Sequence, residues 1–135
     1  MTTSELQAFL ARDFAQVADV LRVEAVTGAG ARVVFTPDAR HLRPGGTVSG
    51  PALFQLADVA AYVAILSQIG EVPLAVTTNA SIDFMRKPPA GVDLIAEARV
   101  MKRGKRLAVT RVEILGPDSD DVLAQAQLTY AIPPT

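Results

Sequence analysis

Apolar residues along this chain switch between helical and alternating spacing. Leu6, Phe9, Leu10, Phe14 and Val17 recur at helical intervals, and Ser4 with Gln7 three residues on has capping-box spacing, so residues 1–20 are expected to hold an N-terminal helix. Residues 21–27 and 32–36 read as short strands separated by Gly28-Ala29-Gly30. Residues 37–50, rich in Pro, Gly and Arg, read as a loop. Pro51 suits the first turn of a helix, where its missing N–H would be unpaired anyway, and residues 52–66 (ALFQLADVAAYVAIL) are apolar nearly all round. Gly70 and Pro73 end that helix near Ile69. Beyond it the period becomes two. Val76, Ala80, Ile82 and Phe84 share one parity, against Thr77, Asn79, Ser81 and Asp83 on the other; similar alternation runs through residues 92–100 and 124–130. Arg103-Gly104-Lys105 is expected to turn a hairpin into a returning strand at residues 106–115.

The order is therefore a helix, two strands, a long apolar helix and four strands joined mostly by short turns. Segregated strands imply an antiparallel sheet and an α+β class, in one domain spanning residues 1–135. A helix apolar on all sides is normally surrounded by protein. A curved sheet can cover one side of it and a partner the other.

Composition narrows the chemistry. Half of the 135 residues are hydrophobic and the net charge is −1, which argues against disorder and against nucleic acid as a partner. With no cysteine there is no disulfide, thiolate metal site or cysteine nucleophile. His41 is the one histidine and no GxSxG segment accompanies it, so neither a zinc site nor a serine triad is expected. The first residues lack an apolar signal-peptide core, and residues 52–66 fall short of the ~20 needed to cross a bilayer; a soluble cytoplasmic protein without membrane contacts is expected.

Against this background Asp58 stands out, because it interrupts the apolar helix. Burying a carboxylate costs several kcal/mol unless it is paired. Asp58 reads either as a structural acid bonded to Tyr62, four residues on, or as a general base or nucleophile. Gly50, at the helix start, offers a backbone N–H to a developing oxyanion and lets a substrate carbonyl approach closely. A base on a helix and free amides at its start are parts of an acyl-transfer site.

The element order, with RPGGTVSGPALFQLADVAAY at the head of the central helix, resembles the hot-dog fold, a long central helix wrapped by a curved antiparallel sheet. In particular it is similar to the PaaI-like acyl-CoA thioesterases, over roughly residues 21–132. The family motif runs from a loop Asn through Gly to His-Gly-Gly and, seven residues later, an Asp or Glu on the helix. Gly50 matches the first Gly of the pair and Asp58 the acid, whereas Ser49 stands at the His, Pro51 at the second Gly and Arg43 at the loop Asn.

The resemblance implies acyl-CoA hydrolysis to free acid and CoA, without cofactor or metal, in a homodimer or a tetramer built as a dimer of dimers. It implies Gly50 as oxyanion donor, Asp58 as base or nucleophile, and Thr77, on the strand after the helix, near the attacking water. It also implies a site between subunits, so that Asp58 and Thr77 can come from different chains. Asn79, taken to share a strand face with Thr77, and Gln55, one turn before Asp58, are further substrate-side candidates, with Ser49 and Arg43. CoA phosphates call for cations, and the Lys102–Arg106 hairpin, with Arg103, Lys105 and Arg106, is the favoured nucleotide contact. Two rivals remain: a non-catalytic acyl-CoA-binding protein, and a hydratase or dehydratase on acyl-CoA or acyl-carrier-protein substrates.

Overall fold

In a computed structural model of the chain, which describes residues 1–134, six antiparallel strands curve around one long helix. The elements are α1 (Thr3–Asp13), α2 (Ala15–Ala18), β1 (Leu21–Val26), β2 (Gly30–Phe35), α3 (Gly50–Ile69), β3 (Val76–Phe84), β4 (Leu94–Arg103), β5 (Leu107–Leu115) and β6 (Val122–Ala131). The strands lie in the order β1-β2-β4-β5-β6-β3. This is the hot-dog arrangement expected from the element order.

The start of the chain differs from its expected form. Thr2 caps α1, accepting from the Glu5 N–H while Glu5 accepts from the Thr2 N–H, so the reciprocal box falls two residues before Ser4 and Gln7. The expected helix over residues 1–20 is broken at Phe14, whose backbone (φ −138°, ψ 50°) leaves the helical region. That break sets the Phe14 ring edge-on to Tyr62, 6.1 Å between centroids.

Helix α3 has 20 residues, long enough to cross a bilayer, contrary to the shorter apolar run counted above. It is nonetheless the core helix: Leu53, Leu56, Ala57, Ala60, Val63, Ala64 and Leu66 are buried in the cluster that also holds Val33, Leu94, Val112 and Leu128 from the sheet. Apolar residues on both α3 and the inward parity of the strands leave water together, which is the main source of stability. Ser49 caps α3 by accepting from the Ala52 N–H at 3.3 Å, Pro51 fills the first turn, and Gly70 stops it at φ +85°, a backbone that glycine adopts without strain.

Two surfaces are left uncovered. Pro51, Phe54 and Gln55 are exposed and Asp58 is half-buried, a stripe with the spacing of one helix face. Strand β3 is a sheet edge, paired only with β6.

Close packing of backbone against backbone appears where β2 meets β4. A Cβ added at Gly30 would stand 1.8 Å from the Ala98 carbonyl oxygen. Gly30→Ala is therefore expected to cost about 3 kcal/mol of stability by overpacking, read as a lowered urea midpoint with an unchanged slope. An unchanged midpoint would mean that the β2–β4 pair yields at no cost.

Candidate active site

Helix α3 carries Asp58 on its half-buried side, and the next two links of the chain bring partners to it. Tyr62, one turn on, donates to the Pro73 carbonyl at 3.1 Å, so the turn after α3 is tied back onto the helix and β3 starts alongside Asp58. Tyr62 is thus not the partner of Asp58. Thr77 Oγ1 donates to Asp58 Oδ1 at 2.6 Å, and the Tyr130 hydroxyl stands 2.7 Å from the same oxygen and 2.9 Å from the Asp58 main-chain oxygen. Asp58 and Thr77 meet within one chain, not across a subunit boundary. The desolvation of the carboxylate is met by hydroxyl donors, as a half-buried acid requires.

Strand irregularity makes this meeting geometrically available. Thr77 lies opposite Tyr130 on β6, the register slips between Thr77 and Asn79, and Asn79 lies opposite Thr129. A bulge of one residue moves later side chains to the other face. Thr77 consequently shares the inner face with Tyr130, while Asn79 shares the outer face with Ser81 and Asp83 around Arg111 and Gln125. The expectation that Asn79 could stand in for Thr77 is corrected by that bulge.

Nothing in the local sequence around Tyr130 marks it as a site residue. It sits in the inward parity of the last strand, 3% exposed, and a buried tyrosine needs a partner for its hydroxyl; Asp58 was the polar group available in the apolar helix. Burial first, and then the charge of Asp58, push the Tyr130 phenol far above its usual range, so it is a protonated donor at neutral pH. Its ring stacks on Tyr62 at 6.0 Å.

Beside this cluster opens a cavity of about 340 Å³ bounded by Asp13, Phe14, Tyr62, Val76 and Thr77. Phe14 reaches this wall through the break in the N-terminal helix, and Tyr62 comes from α3. Among the described residues Asp58 Oδ2 has no hydrogen-bond partner, and no fully buried side-chain oxygen or nitrogen lacks one. Oδ2 is therefore reachable from the cavity.

Gly50 belongs to a second cleft, about 410 Å³, with Arg43, Thr47, Phe84, Arg86 and Lys87. Its N–H has no acceptor among the described residues. The Phe84 ring lies across it, 3.3 Å from where a Cβ would be. Eight residues separate Gly50 from Asp58, about 12 Å along a helix rising 1.5 Å per residue. An oxyanion donor must lie about 3 Å from the oxyanion and the attacking group about 3 Å from the carbonyl carbon. Gly50 and Asp58 of one chain cannot act on the same carbonyl.

The remaining candidates are dispersed. Ser49 is engaged as the helix cap. Gln55 borders Val20, Leu21 and Phe35, away from the Asp58 cavity. Arg103 reaches the Gln68 carbonyl at 3.4 Å, which puts the hairpin of Arg103, Lys105 and Arg106 at the far end of α3 from Gly50. His41 accepts from the Asp38 N–H through Nδ1 and lies edge-on to Phe35. A roomier depression of about 570 Å³ on the outer sheet face holds Arg32, Glu97, Arg99 and Glu113; Arg32 is paired with Glu24 and Glu97 there.

The chain is similar in sequence and fold to known proteins. The thioesterase superfamily matches over residues 45–130. Human acyl-coenzyme A thioesterase 13 is 27% identical over 121 residues, 88% of this chain and 84% of that protein. A crystal structure from Silicibacter sp. TM1040, provisionally assigned as a thioesterase, is 42% identical with a TM-score of 0.92, covering 99% of this chain and 93% of the other. The Escherichia coli PaaI protein from the phenylacetic acid degradation operon is 27% identical with a TM-score of 0.78, covering 95% of each chain. By sequence and by fold, the chain belongs to the thioesterase superfamily, and its chemistry is thioester hydrolysis.

Proposed function

We propose that the protein hydrolyses acyl-CoA thioesters at a site shared by two copies of the chain. The observation that carries this reading is the half-buried Asp58 carboxylate, one oxygen held by Thr77 and Tyr130 and the other open to a cavity. Oδ2 takes a proton from water as the water attacks the thioester carbon, and collapse of the tetrahedral intermediate breaks the C–S bond, giving the free acid and a CoA thiolate that takes up that proton. Alternatively Oδ2 attacks directly and expels the thiolate, and water then hydrolyses the acyl-aspartyl anhydride to free acid and Asp58. Thr77, its proton committed to Oδ1, can accept a hydrogen bond from that water.

The oxyanion donor comes from the facing copy. The uncovered stripe of α3 and the free edge of β3 suit a two-fold partner, which would bring the partner's Gly50 amide to the carbonyl above Asp58. Arg43, Arg86 and Lys87 accompany Gly50 in its cleft, and Arg86 has only a 4.0 Å approach to Asp121. Those cations suit the CoA phosphates, in place of the hairpin at the other end of α3.

Thiol release from a panel of short, medium and aromatic acyl-CoAs tests the activity, and mixed copies test the shared site. Asp58→Asn and Gly50→Pro proteins are each expected to be nearly inactive. Denatured and refolded together in equal amounts, they form half hybrid dimers, each with one intact site out of two, so about a quarter of wild-type activity returns, by the statistics of a two-fold assembly. No recovery, with hybrids demonstrated by tagged pull-down, would rule out the shared site. A wild-type protein that binds acyl-CoA tightly without turning it over would select the binding-protein reading.

A further inference from the structure

We infer that Tyr130 is a positioning residue for Asp58, which together with Thr77 occupies Oδ1 and so selects Oδ2 as the oxygen that meets the attacking water or the thioester. The inference rests on the proposed thioesterase site. Two donors from neighbouring strands converge on one oxygen, at 2.6 and 2.7 Å. Thr77 and Tyr130 are cross-strand partners, so their hydroxyls are held side by side by the sheet. The Tyr130 ring cannot swing away, being 3% exposed and stacked on Tyr62. The same hydroxyl also lies 2.9 Å from the Asp58 main-chain oxygen, so its single proton is shared between that oxygen and the nearer Oδ1. Rotation that exchanged the two carboxylate oxygens would break both hydrogen bonds to Oδ1, so Oδ2 stays the oxygen without a partner at the cavity. Such preorganisation lowers the barrier without contact between the positioning group and the substrate.

The other titratable groups at the cavity do not duplicate this contact. Tyr62 directs its proton to Pro73, and Asp13, at the end of α1, is paired with Arg12.

Tyr130→Phe removes the hydroxyl and keeps the ring. Its kcat is expected to fall about tenfold or more while KM stays within about twofold, a loss matching one hydrogen bond to a charged group. A second readout does not need turnover. The ¹³C signal of the Asp58 carboxyl at a fixed neutral pH, identified by its loss in Asp58→Asn, is expected to move in Tyr130→Phe, because Oδ1 loses one of its two donors. A raised KM with unchanged kcat, or an unmoved Asp58 carboxyl signal in a folded variant, overturns the inference. If the wild type hydrolyses no acyl-CoA, the proposed activity fails, and the carboxyl signal alone decides whether Tyr130 holds Asp58.

Discussion

Asp58→Asn is expected to lower kcat for acyl-CoA hydrolysis by about 10²- to 10⁴-fold, the range for removing a general base. The substitution is nearly isosteric, and the amide oxygen can still accept from Thr77 and Tyr130. Folding should therefore survive, and the melting temperature should move little. KM should also change little, because the acid meets the reacting centre and the cationic cleft lies elsewhere. What the amide cannot do is accept a proton from water at neutral pH. Thiol release measured against acyl-CoA concentration separates the two constants. Retention of more than about a tenth of wild-type kcat would remove Asp58 from the chemistry, since even weak general-base contributions exceed that.

Gly50→Pro is expected to cost about 10²- to 10³-fold in kcat, as seen when a single oxyanion donor is removed. Proline deletes the N–H, which has no other acceptor among the described residues, so no folded-state hydrogen bond is lost with it. The residue before a proline must be extended, and Ser49 already is, at φ −73° and ψ 156°. The added ring atoms press on Phe84, whose ring lies 3.3 Å from the Cβ position. Phe84 is 54% exposed and free to move outward. Gly50→Ala is the matched control: it imposes the same contact with Phe84 but keeps the N–H. Loss of activity in the proline variant with most of it retained in the alanine variant assigns the effect to the amide. Equal losses in both would assign it to Phe84 and the shape of the cleft.

Much of the fold was legible because its elements announce themselves by period. The two-residue alternation of β3 and β6 and the unbroken apolar run of α3 follow from which faces must leave water. Legibility failed where a single-residue choice depends on a distant strand. Ser4–Gln7 and Thr2–Glu5 both have capping spacing, and only the observed start of α1 distinguishes them. The break at Phe14 is invisible in helical periodicity, because Phe14 keeps the helical spacing while its backbone leaves the helix and its ring packs edge-on to Tyr62. Asn79 and Thr77 share a parity, and only the bulge against β6 separates their faces. Tyr130 lies 72 residues from Asp58, beyond any local spacing rule. By contrast, the distance from Gly50 to Asp58 was implicit all along in eight residues of helix.

By itself, then, the sequence determined the α+β order, the acid within the core helix and the glycine amide at that helix's start. These follow from local physics: apolar period, capping and the cost of an unpaired carboxylate. Tertiary structure alone decided which hydroxyls meet that cost, which oxygen of Asp58 is left open, and that Phe14 and Tyr62 wall the adjoining cavity. Those outcomes depend on strand register and on a one-residue bulge, which set side-chain direction only once the sheet has closed around the helix.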